Sequence, residues 1–362
     1  MTPYISLFIL SCLSTYLFNI ESKYRNVFFF MIFSFIFFFC AFRYNVGGDW
    51  KRYLYLFDNN NIFLKGLFLK KDSIFFFLSN FSKLIIKNIF FNNLIISIIF
   101  FLSILPFLIS KKNPALSLTI FLPLGVFILH MGFIRQSLAL SLIILSIYLY
   151  EQKFFYKSFF FIILSIGFHF SAILFLFVIL FHYINVKVKY KNFILLAVTV
   201  NLLIIFFIIS NYFYNINFVI ISFAQDYLYS FKLIQSYIIH NESISPGLFY
   251  RLIPTLLSIF FMLIFFNEEY ETDCWILFFY LLILSIFLCI CFGFFTLADR
   301  INYYTLPFQI MIFLFVMEKI NDPFIKNLYI YSLELFYLSI LIIWLLFSNF
   351  SKDNWQIYTT IF

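Results

Sequence analysis

The sequence predicts an all-α, polytopic integral membrane protein with roughly 10–12 transmembrane helices. Three observations carry that expectation. Of the 362 residues 64% are hydrophobic and only 11% are charged, whereas a soluble domain is about half apolar and a quarter charged. Apolar stretches near the length of a bilayer crossing recur along the whole chain. The mean hydropathy is +1.02, and no water-soluble interior holds 62 Phe together with this much Ile and Leu.

Membrane helices are expected near 3–20, 26–42, 91–109, 115–131, 134–150, 192–213, 248–267, 274–296, 303–318 and 328–348, each an apolar run bounded by polar connections. Residues 73–90 carry Lys83 and Lys87 on an otherwise apolar helix, the pattern of an interfacial segment. Residues 153–186 form a run too long for one span and short for two, interrupted by Gly167-Phe168-His169; a hairpin or re-entrant pair turning near His169 fits it. The N-terminus lacks a basic n-region and a small-residue cleavage site, so the first run reads as an uncleaved helix. There is no Walker loop, no GxGxxG and no internal repeat. A single transmembrane domain over 1–362 is expected, with outer loops near 43–72 and 213–247.

Orientation follows from the positive-inside rule. With the N-terminus outside, 73–90 in the interface and a hairpin at 153–186, every Lys-rich connection falls in the cytoplasm. These are Lys23/Arg25, Lys111-Lys112, Lys153/Lys157, Lys187/Lys189/Lys191 and Lys319/Lys326. The acidic connection Glu268–Asp273 falls there too. Loops 43–72, 132–135, 213–247 and 297–302 then lie outside, with the C-terminal tail. Loop 43–72 holds Arg43, Lys51, Arg52, Lys65, Lys70 and Lys71 and breaks the rule, as a loop that binds an anion would.

The chain has 18 Lys and six Arg. A coding bias toward Phe, Ile, Asn and Lys should replace Arg wherever a point charge suffices, so each retained planar fork merits a reason. Arg25 reads as a surface charge, and for Arg52 a surface charge and a retained role are both open. In Arg43-Tyr44-Asn45-Val46-Gly47-Gly48-Asp49-Trp50, followed by Tyr53, two glycines permit a tight turn, and Asp49 puts an acid beside a cation. The plain alternative is an Asp capping a helix from Trp50. His130-Met131-Gly132-Phe133-Ile134-Arg135-Gln136 links two helices with almost no loop, leaving Arg135 at the membrane boundary or in the membrane, at whose centre a charge costs about 2.5–3.5 kcal/mol. His169 with Ser171 interrupts an apolar run. Arg251 follows Ser245-Pro246-Gly247, and Asp299-Arg300 precedes Asn302-Tyr303-Tyr304; for both, a snorkelling arginine is the plain alternative. Charge parity puts Arg43, Arg135, Arg251 and Arg300 on one side, where together they suit a diphosphate. His130 and His182 read as structural or interfacial. The five Cys read as buried, inert thiols without metal spacing. No metal is expected, and nothing points to nucleic acid.

Arg43 with Gly47-Gly48-Asp49-Trp50 and Tyr53, Ile134-Arg135-Gln136 with Ala139, Phe168-His169-Phe170-Ser171-Ala172, and Arg300 with Tyr303-Tyr304 occur in order over most of the chain. They resemble the EpsG-like branch of Wzy-type bacterial polysaccharide polymerases. Gly48 stands where such relatives often carry Thr. The resemblance implies a multi-pass glycosyltransferase of the bacterial cytoplasmic membrane that builds O-antigen, capsule or exopolysaccharide at the outer face. The donor is a glycan on undecaprenyl diphosphate, the acceptor a single lipid-linked repeat unit. Arg135 and Arg300 would contact the diphosphate, with Arg43 and Arg251 in support; Asp49, ahead of His169, would be the base. Trp50, Tyr53, Gln136, Asp299, Tyr303 and Tyr304 would bind substrate. No cofactor is implied. The partners are undecaprenyl-diphosphate-linked oligosaccharides and membrane lipids, with a chain-length regulator and a flippase as further candidates. Rival readings are a lipid-linked oligosaccharide flippase or other transporter, which should show paired repeats; an O-antigen ligase, which should carry a larger late outer loop; and a membrane acyltransferase, which should place a His before His130. A reporter fused at Lys189 is expected to read cytoplasmic; an extracytoplasmic signal inverts the orientation of everything after residue 186.

Overall fold

Helix ends in this chain are written by short polar signals between apolar runs, and the computed structural model shows several of them at work. It describes residues 1–19, 23–59, 72–184, 247–265, 274–291, 295–355 and 358–360. The helix expected at 192–213, the loop 213–246, the Lys187/Lys189/Lys191 cluster, the Glu268–Asp273 connection and residues 60–71 lie outside the described residues. Asn88 caps the following helix by accepting from Phe90 N–H (2.8 Å), and Asn113 accepts from Leu116 N–H (3.0 Å) ahead of Pro114. Asp322 accepts from Phe324 and Ile325 N–H. A side-chain oxygen at that place satisfies backbone donors that no helical carbonyl reaches, and Pro just inside the start needs no partner. The Asp322-Pro323 start is why the helix expected from 328 begins at Pro323.

In order, the described helices are α1 (Thr2–Asn19), α2 (Arg25–Ala41), α3 (Trp50–Asn59), α4 (Ser73–Ile85), α5 (Ile89–Ile109), α6 (Pro114–Phe121), α7 (Ile134–Glu151), α8 (Phe155–Phe168), α9 (Leu176–Ile184), α10 (Leu248–Phe265), α11 (Cys274–Cys291), α12 (Phe295–Asn302), α13 (Leu306–Lys319), α14 (Pro323–Phe347) and α15 (Asn349–Trp355). Among the described residues, four apolar helices are long enough to cross a membrane: Ile89–Ile109, Ile134–Glu151, Phe295–Lys319 and Pro323–Phe347, with shorter apolar helices also present. The protein is all-α and polytopic, as composition requires. Pro123 has no N–H to offer the preceding turn, and α6 widens there into a π-helical stretch, Leu122–His130. The run 153–186 does break at His169, whose extended backbone (φ −154°, ψ 122°) separates α8 from a 3₁₀ turn, Phe170–Phe175. One expectation needs correcting. Residues 297–302 are not a loop but belong to α12, because their polar side chains find partners inside the fold and need no water.

The chain divides into two compact units, residues 1–176 with 309–362, and residues 177–308. In the first, apolar side chains fill the interior and also cover the outside. Phe30, Met31, Phe35 and Phe38 of α2 are exposed, whereas Ser97, Ser137, Ser141, Ser146, Ser158 and Ser165 are buried. Lipid tails are as apolar as Phe, so nothing drives these rings inward; small hydroxyl residues let helices approach and bond across the gap. Antiparallel α7 and α8 do so through Ser146 and Ser158 hydroxyls 2.8 Å apart. The helix expected at the interface follows the same logic: α4 buries Ser79, Asn80 and Ser82 and exposes Phe77, Phe81 and Leu84.

The two ends of this unit differ in chemistry. At one end, Lys111 pairs with Glu151 (2.8 Å) and Lys112 with Glu318 (2.8 Å). The other end lies about 27 Å away along the 18 residues of α7. There the C-terminal residues cover the 43–48 turn. Strand β1 (Arg43–Tyr44) pairs antiparallel with β2 (Thr359–Thr360), Gly47 N–H donates to the Asn354 carbonyl (3.0 Å), and Tyr358 stacks on Phe39 at 4.0 Å. The Trp355 indole N–H donates to Phe127 O (3.0 Å), a carbonyl in the π-helical stretch. Charge parity had separated these same two groups of connections. Gly47 has φ +113°, and a Cβ there would overlap the Met131 carbonyl. Gly47→Ala is expected to destabilise the protein by about 1–3 kcal/mol, from the strained backbone alone. Trp355→Phe, losing one buried hydrogen bond, should cost about 1 kcal/mol. Thermal unfolding of detergent-purified variants measures both.

Candidate functional site

Arg43 is the second residue after α2, and its side chain turns back into the fold. Nη1 donates to the Cys40 carbonyl (2.9 Å), the residue is 1% exposed, and the Tyr4, Tyr53 and Tyr358 phenols lie within its electrostatic reach. Burial pulls its pKa down, a pull those neighbouring groups partly offset. Its Nε has no hydrogen-bond partner among the described residues. The Gly47-Gly48 turn then launches α3: Trp50 N–H donates to Gly47 O (3.0 Å) and Tyr53 N–H to Asp49 O (2.9 Å), so Asp49 stands at the head of the helix. Trp50 and Tyr53 are buried, Trp50 edge-on to Tyr44 and Tyr53 against Phe75 of α4.

Arg135 lies in the first turn of α7. Its Nη1 donates to Asp72 Oδ2 at 2.5 Å, with side chains 17% and 0% exposed. Tyr53 and Asp49 both lie within its electrostatic reach. Burial raises the Tyr53 pKa above the usual phenol value, with Arg135 pulling the other way. Tyr53 therefore has Arg43, Asp49 and Arg135 around it. Lys83 joins α4 to the end of α3, donating to Phe57 O and Asp58 O, both at 2.7 Å. Gln136 is buried beside Arg135.

His169 belongs to the same end of the unit. Arg135 lies as many residues before Ser146 as His169 lies after Ser158, and those two serines are paired in the antiparallel α7–α8 packing. Gly167 packs against Ile74, two residues on from Asp72. The His169 Nδ1 is 2.6 Å from Ser171 Oγ. His130 plays the structural part expected of it, wedged between Ser97 and Ser137 (3.3 Å each) and stacked on Phe100 at 4.0 Å.

In the second unit, Arg251 of α10 and Asp299 of α12 form a bidentate pair: Nε to Oδ1 at 2.7 Å and Nη2 to Oδ2 at 2.6 Å. Asn302 Nδ2 donates to the Arg251 carbonyl (2.9 Å) and its Oδ1 accepts from Thr255 (2.7 Å). Tyr303 lies under the Arg251 guanidinium at 5.8 Å and has Arg300 within electrostatic reach. Tyr304 is fully buried. The unit thus gathers Arg251, Asp299, Arg300, Tyr303 and Tyr304, with the first two engaged by each other.

Sequence reasoning passed over two acids. Asp72 read only as the end of a loop, yet a lone acid before the Ser73-Ile74 start of an amphipathic helix was a usable signal. Glu334 is buried inside apolar α14, near Thr15; a single acid within a 25-residue membrane helix is itself a flag. Among the described residues, no three His, Cys, Asp or Glu gather as a metal site.

A family model, the EpsG family, matches residues 26–360. No curated protein and no solved structure matches the chain.

Removing one member of a buried, hydrogen-bonded ion pair strands its partner. Arg251→Ala or Asp299→Ala alone is expected to cost about 3–5 kcal/mol, and the double variant less than the sum of the two. Thermal melts of the three variants in detergent test this, and strict additivity would contradict the pairing.

Proposed function

The chain belongs to the EpsG family, membrane proteins of polysaccharide biosynthesis, and from that premise we propose that it polymerises lipid-linked oligosaccharide repeat units. The reaction takes place at the outer face of the bacterial cytoplasmic membrane. A hydroxyl of the acceptor repeat unit attacks the anomeric carbon of the donor glycan. The new glycosidic C–O bond forms as the C–O bond to undecaprenyl diphosphate breaks, and the hydroxyl proton passes to a base. The bond energy resides in the lipid diphosphate, so no nucleotide is consumed.

The leaving diphosphate gains charge as its bond to the sugar breaks, and guanidinium forks stabilise that charge best where water is scarce. Arg135, with Arg43 in support, supplies this in the first unit; Arg300, with the Asp299-paired Arg251 in support, is the second unit's candidate. Asp49 is the first choice of base, since it lies beside Arg135 and Tyr53 at the head of α3. His169, at the same end of the unit, is the second. The buried Tyr53, Trp50 and Gln136 shape the surroundings. The observation that most supports this reading is an arginine kept at a membrane helix end by a fully buried carboxylate, next to the Gly47-Gly48-Asp49 turn.

Replacing Arg135 by Ala, with protein level in the membrane unchanged, is expected to lower polymerisation by about 10²–10³-fold and collapse the polymer ladder to single repeat units. Arg135→Lys should recover only part, because a point charge lacks the fork. Ladders of normal length and yield in Arg135→Ala would sink the proposal. Accumulation of the lipid-linked unit on the cytoplasmic side would instead favour a flippase.

A further inference from the structure

Two buried arginine–aspartate pairs among the described residues are built differently. Arg251 and Asp299 close on each other, two donors meeting two acceptors. Arg135 reaches Asp72 through Nη1 and Oδ2 alone. Its Nε and the Asp72 Oδ1 are both buried, and neither has a hydrogen-bond partner among the described residues. Buried polar atoms without partners are rare in native folds. Here a donor and an acceptor are left over on one ion pair.

Asp72 is unusual in a second way. It immediately precedes α4, where Asn88, Asn113 and Asp322 spend their side chains capping the helices that follow them. Asp72 makes no such cap, and its backbone adopts the left-handed conformation, φ 59° and ψ 36°. The carboxylate is turned away from the helix it begins and toward Arg135.

A ligand that completes this pair must bring an anionic oxygen for Arg135 Nε and a hydroxyl donor for Asp72 Oδ1. A sugar joined to a diphosphate carries both within a few bonds. A bare diphosphate carries only oxygens and would set its charge against the carboxylate. We infer that Asp72 is a substrate-binding residue, accepting a hydrogen bond from a sugar hydroxyl of the glycosylated lipid diphosphate while Arg135 holds the diphosphate. This rests on the polymerase reading above. Asp72 thereby distinguishes the loaded donor from the spent lipid. Once the glycan has moved to the acceptor, the carboxylate faces an anion with no hydroxyl to offer, and release of that product is favoured.

The test compares binding of the undecaprenyl-diphosphate-linked repeat unit and of sugar-free undecaprenyl diphosphate to purified protein in lipid nanodiscs. The wild type is expected to prefer the glycosylated lipid by roughly tenfold or more, the worth of one charge-assisted hydrogen bond. Asp72→Asn should erase that preference, weakening the glycosylated lipid while leaving the sugar-free lipid equal or tighter. Asp72→Glu keeps the charge beside Arg135 but displaces the acceptor, and should lose the preference with sugar-free binding retained. It therefore serves even where Asp72→Asn fails to fold. Parallel weakening of both lipids in the folded variants overturns the inference, since it marks Asp72 as mere support for Arg135. An unchanged preference overturns it as well. A wild type that binds neither lipid overturns the polymerase reading and the inference together, whereas a wild type that polymerises beside indifferent variants overturns the inference alone.

Discussion

A guanidinium at the end of a membrane helix has little water to fall back on, and Arg135 answers that with a carboxylate whose side chain is fully buried. The cost of stranding either charge in a low-dielectric setting exceeds that of most single packing defects. The pair therefore ties the start of α4 to the start of α7 despite a separation of 63 residues in the chain. Tyr53 brings α3 to the same point, and Lys83 joins α3 to α4 from the other end. The turn at Gly47 must then pass so close to the Met131 carbonyl that a side chain has no room. The geometry of one end of the first unit thus descends from a single buried ion pair and the close approaches it makes possible.

Away from that end, the helices hold together by a different rule. Burying apolar area gains nothing against lipid, so stability comes from close contact and internal hydrogen bonds. The interior accordingly holds serines among its apolar side chains, as between α7 and α8, and Phe is found outside as well as inside. The π-helical stretch after Pro123 shows the matching constraint on backbone groups: the Phe127 carbonyl lies where regular helical pairing is lost, and the Trp355 indole meets it. The C-terminal residues are thereby part of the same end of the unit as Arg43 and Gly47.

The contrast between the two arginine–aspartate pairs bears on function. A closed bidentate pair is finished and stabilises; a one-point pair with a donor and an acceptor left over is prepared for something else. Arg251, which sequence reasoning grouped with the ligand-binding arginines, is engaged on both sides by Asp299. Arg135, expected to contact the diphosphate where Arg251 was expected only to support, keeps part of its fork unspent. Arginine content alone made the two look alike; their partners separate them.

Composition and hydropathy determined the all-α membrane class and most helix positions by themselves, because lipid forces every crossing segment to be apolar and internally hydrogen-bonded. The break at His169 and the separation of Lys111-Lys112 from the 43–48 end were legible for the same reason, as was the EpsG resemblance through its ordered short motifs. Partnerships were not legible. That Asp72 belongs to Arg135, that Asp299 belongs to Arg251 and makes 297–302 helical, and that Trp355 caps Phe127 depend on side chains brought together from distant positions. Hydropathy is a sum over neighbours in the chain, whereas pairing of buried charges is a matter of ångströms in space, and only the tertiary structure decides it.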